Sequence, residues 1–267
     1  MILNRQMIQF IDRCFLKQPL LRRFVTRVLA GTKEEKVVLL ALKLQVHTAR
    51  EHGYFRASKL SQTCSLFRDE LPVLIHLAGL LQDGDTFLDV GANIGIFCVN
   101  IAGFRAVFPN LQVYAFEPNP DTAARLRANA EPPGVKVFSL ALADHNGFLE
   151  FVDGAVSNVF TTIQNASSYS IRRERSFREC RRLEDLIVTG NSIVMKIDVE
   201  GQELEVLLGA RKYFDGCRVK ALYLDDYKDP RVRDFLDPYG FHYFNGRTLE
   251  PATEETKNLL ALKSQAP

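Results

Sequence analysis

Thr86-Phe87-Leu88-Asp89-Val90-Gly91-Ala92-Asn93-Ile94-Gly95 is the stretch that decides the fold. A short apolar run ends on a carboxylate, and two glycines follow, four positions apart. Residues 96–107 then carry apolar side chains at helical spacing. Gly91 and Gly95 let the backbone turn sharply and approach a ligand with no Cβ in the way. Strand, glycine loop and helix in succession make the ligand-binding corner of an open α/β sheet, beyond the carboxyl end of the strand. Outward from this corner, residues 69–81 read as a helix and Asp83-Gly84-Asp85 as a turn into the strand. Further apolar runs at 113–116, 135–142, 193–197 and 221–224 alternate with helical patterns at 120–130 and 202–213. That alternation predicts a largely parallel sheet with helices on both faces.

The rest of the chain is less regular. Residues 2–50 read as helices: Ile8, Ile11 and Phe15, then Leu20, Leu21, Phe24, Val25 and Val28, recur at helical spacing with Arg and Lys between them. Thr32 and Glu35 have the form of a capping box opening a helix over 34–49. The expected division is a helical extension at 1–57 and one α/β domain at 58–267. A basic amphipathic segment of this kind suits a membrane surface, but packing on its own domain is the expected role. Residues 148–152 form one arm of an expected hairpin, within a stretch, 147–183, that breaks the alternation. Near the end, 229–236 reads as a helix and 241–244 as a strand, with Asn245-Gly246 turning into Thr248-Leu249-Glu250.

Composition narrows the classes. Hydrophobic content of 46% and charged content of 25% are those of a globular protein. A formal charge of +2 gives no footprint for nucleic acid, and none is expected as a partner. The five cysteines are odd in number and scattered, with no C-x-x-C pair, which points away from zinc and towards a reducing cytoplasm. Val37 to Leu42 is apolar but bracketed by lysines, far short of the roughly 20 residues of a membrane span.

The glycine loop could hold either of two nucleotide cofactors. A dinucleotide fingerprint wants glycine at the position of Asn93. It would also set the Asp89 carboxylate against a pyrophosphate, a like-charge opposition easily above about 1 kcal/mol in a partly buried cleft. A cofactor that presents an ammonium and a sulfonium reverses the sign, so charge favours S-adenosylmethionine. Glu117, about 20 residues past the loop and at the end of the next strand, suits both ribose hydroxyls in a bidentate grip. That feature alone does not separate the two cofactors. Asn119 and Asp121 serve better than Glu117 as the cap of the following helix.

Three blocks carry a family resemblance: Asp89-Val90-Gly91-Ala92-Asn93-Ile94-Gly95, Phe116-Glu117-Pro118-Asn119, and Lys196-Ile197-Asp198-Val199-Glu200-Gly201-Gln202-Glu203. In order and spacing, with Gly147 after the third strand, they resemble the signature blocks of the FkbM-type methyltransferases, over roughly residues 70–224. The resemblance implies a Rossmann-like seven-stranded sheet and methyl transfer to a hydroxyl of a sugar, glycan or secondary metabolite. It implies S-adenosylmethionine held by Asp89, Gly91, Ala92, Asn93 and Gly95, by Glu117 and Pro118 at the ribose, and by Ala143 and Asp144 near the adenine. The chain departs from the family pattern before about residue 58, and again at Asp225-Asp226-Tyr227 after the fifth strand.

Methyl transfer needs an acceptor aligned with the sulfonium carbon and, for an alcohol, a base for its proton. Asp198, ending the fourth strand, is the expected base or acceptor-orienting group. Lys196, on the same strand face, is expected to orient it or to hold a carboxylate nearby. Glu203 reads equally as a helix-dipole residue and as a functional one. Asp198, Asp225 and Asp226 would suit a magnesium ion, an alternative kept beside an expectation of no metal. His145 and His242 are read as structural. N-methylation, or a cofactor-binding module without catalysis, are the competing functions.

Overall fold

The computed structural model describes residues 19–60, 66–153, 160–162 and 175–263. The helical reading around Ile8, Ile11 and Phe15 falls outside them. The chain divides into two compact units at Pro72/Val73.

The first unit contains helix α1 (Pro19–Ala30), strands β1 (Glu34–Leu39) and β2 (Leu42–His47), helix α2 (His52–Leu60) and a π-helical turn (Leu66–Glu70). The helix expected over 34–49 is thus an antiparallel hairpin with Leu39 opposite Leu42. Val37, Leu39, Leu44 and Val46 are buried, a period of two that outweighs the cap-like Thr32 and Glu35. Leu40 and Ala41 close the hairpin with φ of 50° and 64°, a left-handed pair that normally draws Asn or Gly. Thr48 ties the unit together: its N–H donates to the Lys33 carbonyl, and its Oγ1 donates to the Gly31 carbonyl at 2.7 Å.

Helix α3 (Leu71–Gly79) begins at the division and leads into the second unit. Its strands β3 (Thr86–Val90), β4 (Gln112–Phe116), β5 (Lys136–Phe138), β10 (Ile193–Ile197), β11 (Val219–Leu224), β12 (Phe241–Asn245) and β13 (Leu259–Lys263) form a seven-stranded sheet in the order β12-β13-β11-β10-β3-β4-β5. The sheet is parallel from β5 to β11, and β13 runs antiparallel to both its neighbours. Four shorter strands, β6 (Ala141–Leu142), β7 (Gly147–Asp153), β8 (Phe160–Thr162) and β9 (Arg175–Arg181), make a second sheet in the order β6-β9-β7-β8. The apolar run at 135–142 is therefore shared between two sheets rather than forming one strand.

Alternation assigns the faces of the main sheet. Leu88, Val90, Tyr114, Phe116, Met195, Ile197, Leu222 and Leu224 share a core with Leu204, Leu207, Phe214, Val232 and Leu236. The latter lie on or beside helices α6 (Glu203–Leu208), α7 (Arg211–Asp215) and α8 (Arg231–Leu236). The opposite face is covered by α4 (Ile96–Ala102), which packs on β3 and β4. Helix α5 (Pro120–Ala130) follows β4, and Asn119 caps it, Oδ1 accepting from the N–H groups of Asp121 and Thr122. A cap of this kind contributes about 1 kcal/mol.

Two expected elements are broken. The helix over 202–213 is interrupted at Gly209 and Ala210, because Gly209 lies against the Ala143 carbonyl, where a Cβ would stand 1.9 Å away. The hairpin expected to pair 241–244 with 248–250 forms in part, with Phe244 bridging Pro251 and the N–H groups of Asn245 and Ala252 donating to the Glu250 and Tyr243 carbonyls, while the partner of β12 along its whole length is β13. Asn245 caps the tight turn, accepting from the N–H groups of Arg247 and Thr248, and the chain continues to Leu259 before it adds a full strand to the sheet.

Candidate active site

The strand order reverses between β3 and β10, and open α/β sheets bind ligands at the carboxyl ends of the strands at such a point. Asp89 and Lys196 are register partners across this pair, and Lys196 is paired in turn with Tyr223 on β11. A polar row thus crosses the central strands of the sheet.

Its members bind one another closely. Lys196 Nζ lies 3.4 Å from Asp89 Oδ1 and 3.3 Å from Asp198 Oδ2, and donates to the Gly91 carbonyl at 3.0 Å. The ammonium also sits over the Phe97 ring, 5.3 Å from its centre. Burial alone would favour neutral Lys196, but the carboxylates of Asp198, Asp89 and Asp225 hold its pKa above the usual lysine range. Asp89 is fully buried, and its Oδ2 accepts from the Cys98 N–H in the first turn of α4. The carboxylate expected at the cofactor's ammonium is thus engaged by Lys196 and by the first turn of the helix that follows the loop. Of the three side chains, Asp198 is the one that reaches solvent, at 38% exposure.

The glycine loop is fastened from several sides. The N–H groups of Gly91 and Ala92 both donate to the Phe116 carbonyl, and Asn129 Nδ2 donates to that of Ile94. Gly91 has φ of 74°, and a Cβ there would stand 1.9 Å from the Asp198 carbonyl oxygen. Asn93, with φ of 51°, donates its N–H to Glu117 Oε2 at 3.0 Å, and Asn119 donates to Oε1 at 2.9 Å. Glu117 is buried, and burial raises its pKa to about 7 against the pull of those two N–H groups and of Lys196. Each of its oxygens keeps a lone pair for a further donor. Asn93 Oδ1 is buried with no hydrogen-bond partner among the described residues, so it too waits for a donor.

The surroundings of Asp198 are acidic. Desolvation and the Asp198 charge raise Glu200 to about 7, although much of the residue lies open to solvent. Glu203 is buried, which raises its pKa; its Oε1 accepts from the Gly201 N–H. Asp225 is likewise raised by burial and by Asp198, and it accepts from the Tyr223 hydroxyl at 2.6 Å. Asn93, Glu200 and Asp226 all hold positive φ in loops at the carboxyl ends, the kind of strain that collects at functional sites.

Ala143 is buried at the end of β6, and half-exposed Asp144 pairs with His145 Nδ1 at 2.7 Å; among the described residues neither bonds to the Asp89–Lys196–Asp198 group. Pro118 stands between Glu117 and the cap Asn119. His242 is on edge strand β12, three strands from β10. No group of three His, Cys, Asp or Glu side chains among the described residues is gathered for a metal ion; exposed Asp226 pairs with Lys228. Tyr223 escaped the sequence reading, because inside an apolar run only its register against Lys196 marks it.

The model of the Methyltransferase FkbM domain matches residues 89–243. Hexuronic acid methyltransferase AglP of Haloferax volcanii is 32% identical over 148 residues, 53% of this chain and 56% of that protein. The 2-O-methyltransferase NoeI of Sinorhizobium fredii is 35% identical over 83 residues, 30% of this chain and 33% of that one. The chain thus spans about half and a third, respectively, of the length of these relatives. A TehB-like SAM-dependent methyltransferase of Corynebacterium glutamicum shares 10% identity over 80% of this chain and 99% of that one, at a TM-score of 0.42 too loose to add to the argument. With the family's domain matched across the switch-point loop, the Glu117 corner and the Asp198 strand, the chain belongs to the FkbM methyltransferase family.

Proposed function

We propose that the protein is an S-adenosylmethionine-dependent O-methyltransferase acting on a hydroxyl of a sugar or glycan. The carrying observation is the position of Asp198: a solvent-reaching carboxylate beside the glycine loop, held at the carboxyl end of β10 by a buried ammonium. The named activities of the two relatives, on a hexuronic acid and at a 2-O position, support the substrate class.

The residues present fit the cofactor. Two vicinal ribose hydroxyls would give each Glu117 oxygen the second donor it lacks, and Asn93 Oδ1 would accept from the same ligand. When bound, the cofactor supplies an electrophilic methyl group on sulfur. Asp198 orients the acceptor hydroxyl and takes its proton as the oxygen becomes nucleophilic, releasing it to solvent afterwards. Lys196 acts through Asp198 and Gly91: its donors are already engaged, so it positions both halves of the site and does not itself touch the acceptor. Asp89 acts through Lys196 and the first turn of α4. Ala143 and Asp144 are assigned to the adenine side.

The catalytic domain is taken to follow an extension, with the boundary between residues 58 and 73. A cytoplasmic location suits the free thiols of Cys98, Cys180 and Cys217. The test is transfer of a labelled methyl group to a panel of mono- and oligosaccharides, with S-adenosylhomocysteine and NAD titrated by calorimetry. Transfer to a hydroxyl and selective binding of the former are expected. Homocysteine-adduct binding with no transfer to any hydroxylated acceptor would replace the reading with a binding module.

A further inference from the structure

We propose that helix α1 docks the protein on an anionic membrane surface, laying Leu21, Phe24, Val28 and Leu29 into the boundary between headgroups and acyl chains. The helix is packed inside out. Thr26 is only 6% exposed, while Phe24, Val28 and Leu29 stand 64%, 65% and 73% exposed on the same 12 residues. Positions 21, 24 and 28 fall on one stripe of an α-helix and 29 borders it, so the exposed apolar groups form one patch. A water-facing helix buries such a stripe and exposes its threonine. Contiguous exposed apolar surface with a polar border marks an interaction site.

The patch is held in place. The Gly31 N–H donates to the Arg27 carbonyl, and the Gly31 carbonyl accepts from Thr48 Oγ1 of the buried Thr48. The end of α1 is thereby fastened to the β1–β2 hairpin, so the helix has a body to press against when it meets a surface.

Charge selects the occupant. Residues 1–33 contain seven Lys or Arg and a single acidic residue, Asp12, whereas the whole chain has 34 basic and 32 acidic residues. In the sequence the basic excess precedes and surrounds the residues of the patch, and residues 34–267 are net acidic. A second copy of the chain would bring two strongly positive segments together, which opposes self-association through this face. Anionic headgroups meet both demands, with arginines among the phosphates and apolar side chains beneath them. A helix of 12 residues is about 18 Å long, too short to cross a hydrocarbon core of about 30 Å. It lies along the surface.

Flotation of the full chain with vesicles of phosphatidylcholine and phosphatidylglycerol at 3:1, against phosphatidylcholine alone, tests this. Binding at least tenfold stronger to the anionic vesicles is expected, falling at least tenfold in 0.5 M salt. The double variant Phe24→Glu, Leu29→Glu should lose it by a similar factor while keeping the native circular dichroism, melting temperature and S-adenosylhomocysteine affinity, since both positions face water. Equal binding to the two vesicle types, no binding to either, or full binding by the variant would overturn the proposal. So would a dimer of the intact chain, seen by light scattering, that the variant abolishes, because the patch would then belong to a second copy.

Discussion

Replacing Lys196 by Met removes the cation between two carboxylates and leaves Asp89 charged, buried and held by one N–H. At 3.4 Å and an effective dielectric constant of about 20, the pair's gross attraction is about 5 kcal/mol. Breaking such a buried pair on one side costs about 3–5 kcal/mol. The Asp198 contact adds less, because that carboxylate is partly screened by water. Against a typical total stability of about 5–15 kcal/mol, Lys196→Met should leave a marginal protein. The variant Asp89→Asn, Lys196→Met keeps an acceptor for the Cys98 N–H and abolishes the orphaned charge, so it should recover all but about 1–2 kcal/mol. The lost donor to Gly91 is common to the single and double variants and cancels in the cycle. Urea unfolding of the four proteins at unchanged m reads the coupling directly. A loss below about 1 kcal/mol for Lys196→Met, or a double variant no more stable than the sum of the singles, would refute the idea that this pair anchors the site.

Glu117 gives a pH signature with two opposite signs. Its pKa of about 7, against an ordinary 4.5, makes its contribution to the ligand-free protein fully present below about pH 4.5 and lost as pH rises through 7, a span of about 3 kcal/mol. Affinity for S-adenosylhomocysteine should run the other way, because ribose hydroxyls prefer the carboxylate: it should weaken by up to tenfold per unit below pH 7 and level off above. Glu117→Gln should flatten the calorimetric profile, and a profile unchanged by that substitution would remove Glu117 from the ribose. Asp198→Asn should lower kcat by about 10²–10⁴ with cofactor affinity intact; initial rates beside calorimetry will tell, and a matching loss of affinity would reassign the residue. The carboxylates of Asp198, Glu200 and Asp225 around the acceptor should rank neutral sugars above uronates in kcat/KM, and a preference for uronates would show that another cation dominates there.

The corner around Asp89 was legible because its parts are local: a strand, two glycines and a helix succeed one another within a dozen residues. Glu117 and Asp198 were legible for the same reason, each ending an apolar run. What the sequence concealed depends on partners far along the chain. Asp89 reads as a ligand-facing carboxylate until Lys196 arrives beside it in the sheet, and then it becomes a buried anchor. Residues 34–47 were misread because Leu40 and Ala41 make a turn with no turn residues in it, leaving nothing to contradict the helix-like start at Thr32. The path from Gly246 to Leu259 was missed because a good local turn at Asn245 satisfies its backbone without saying which strand comes next.

The near contact of Gly91 with the Asp198 carbonyl joins two loops more than a hundred residues apart in the chain. Mechanically it is a stop: neither loop can slide towards the other, and Lys196 keeps them from parting. In the proposed reaction, donor and acceptor would be received on a single rigid jaw, with the distance between the two loops set during folding rather than at each turnover. Alanine at position 91 could be accommodated only by a displaced β10, so tolerance for change at either loop is inherited from the other.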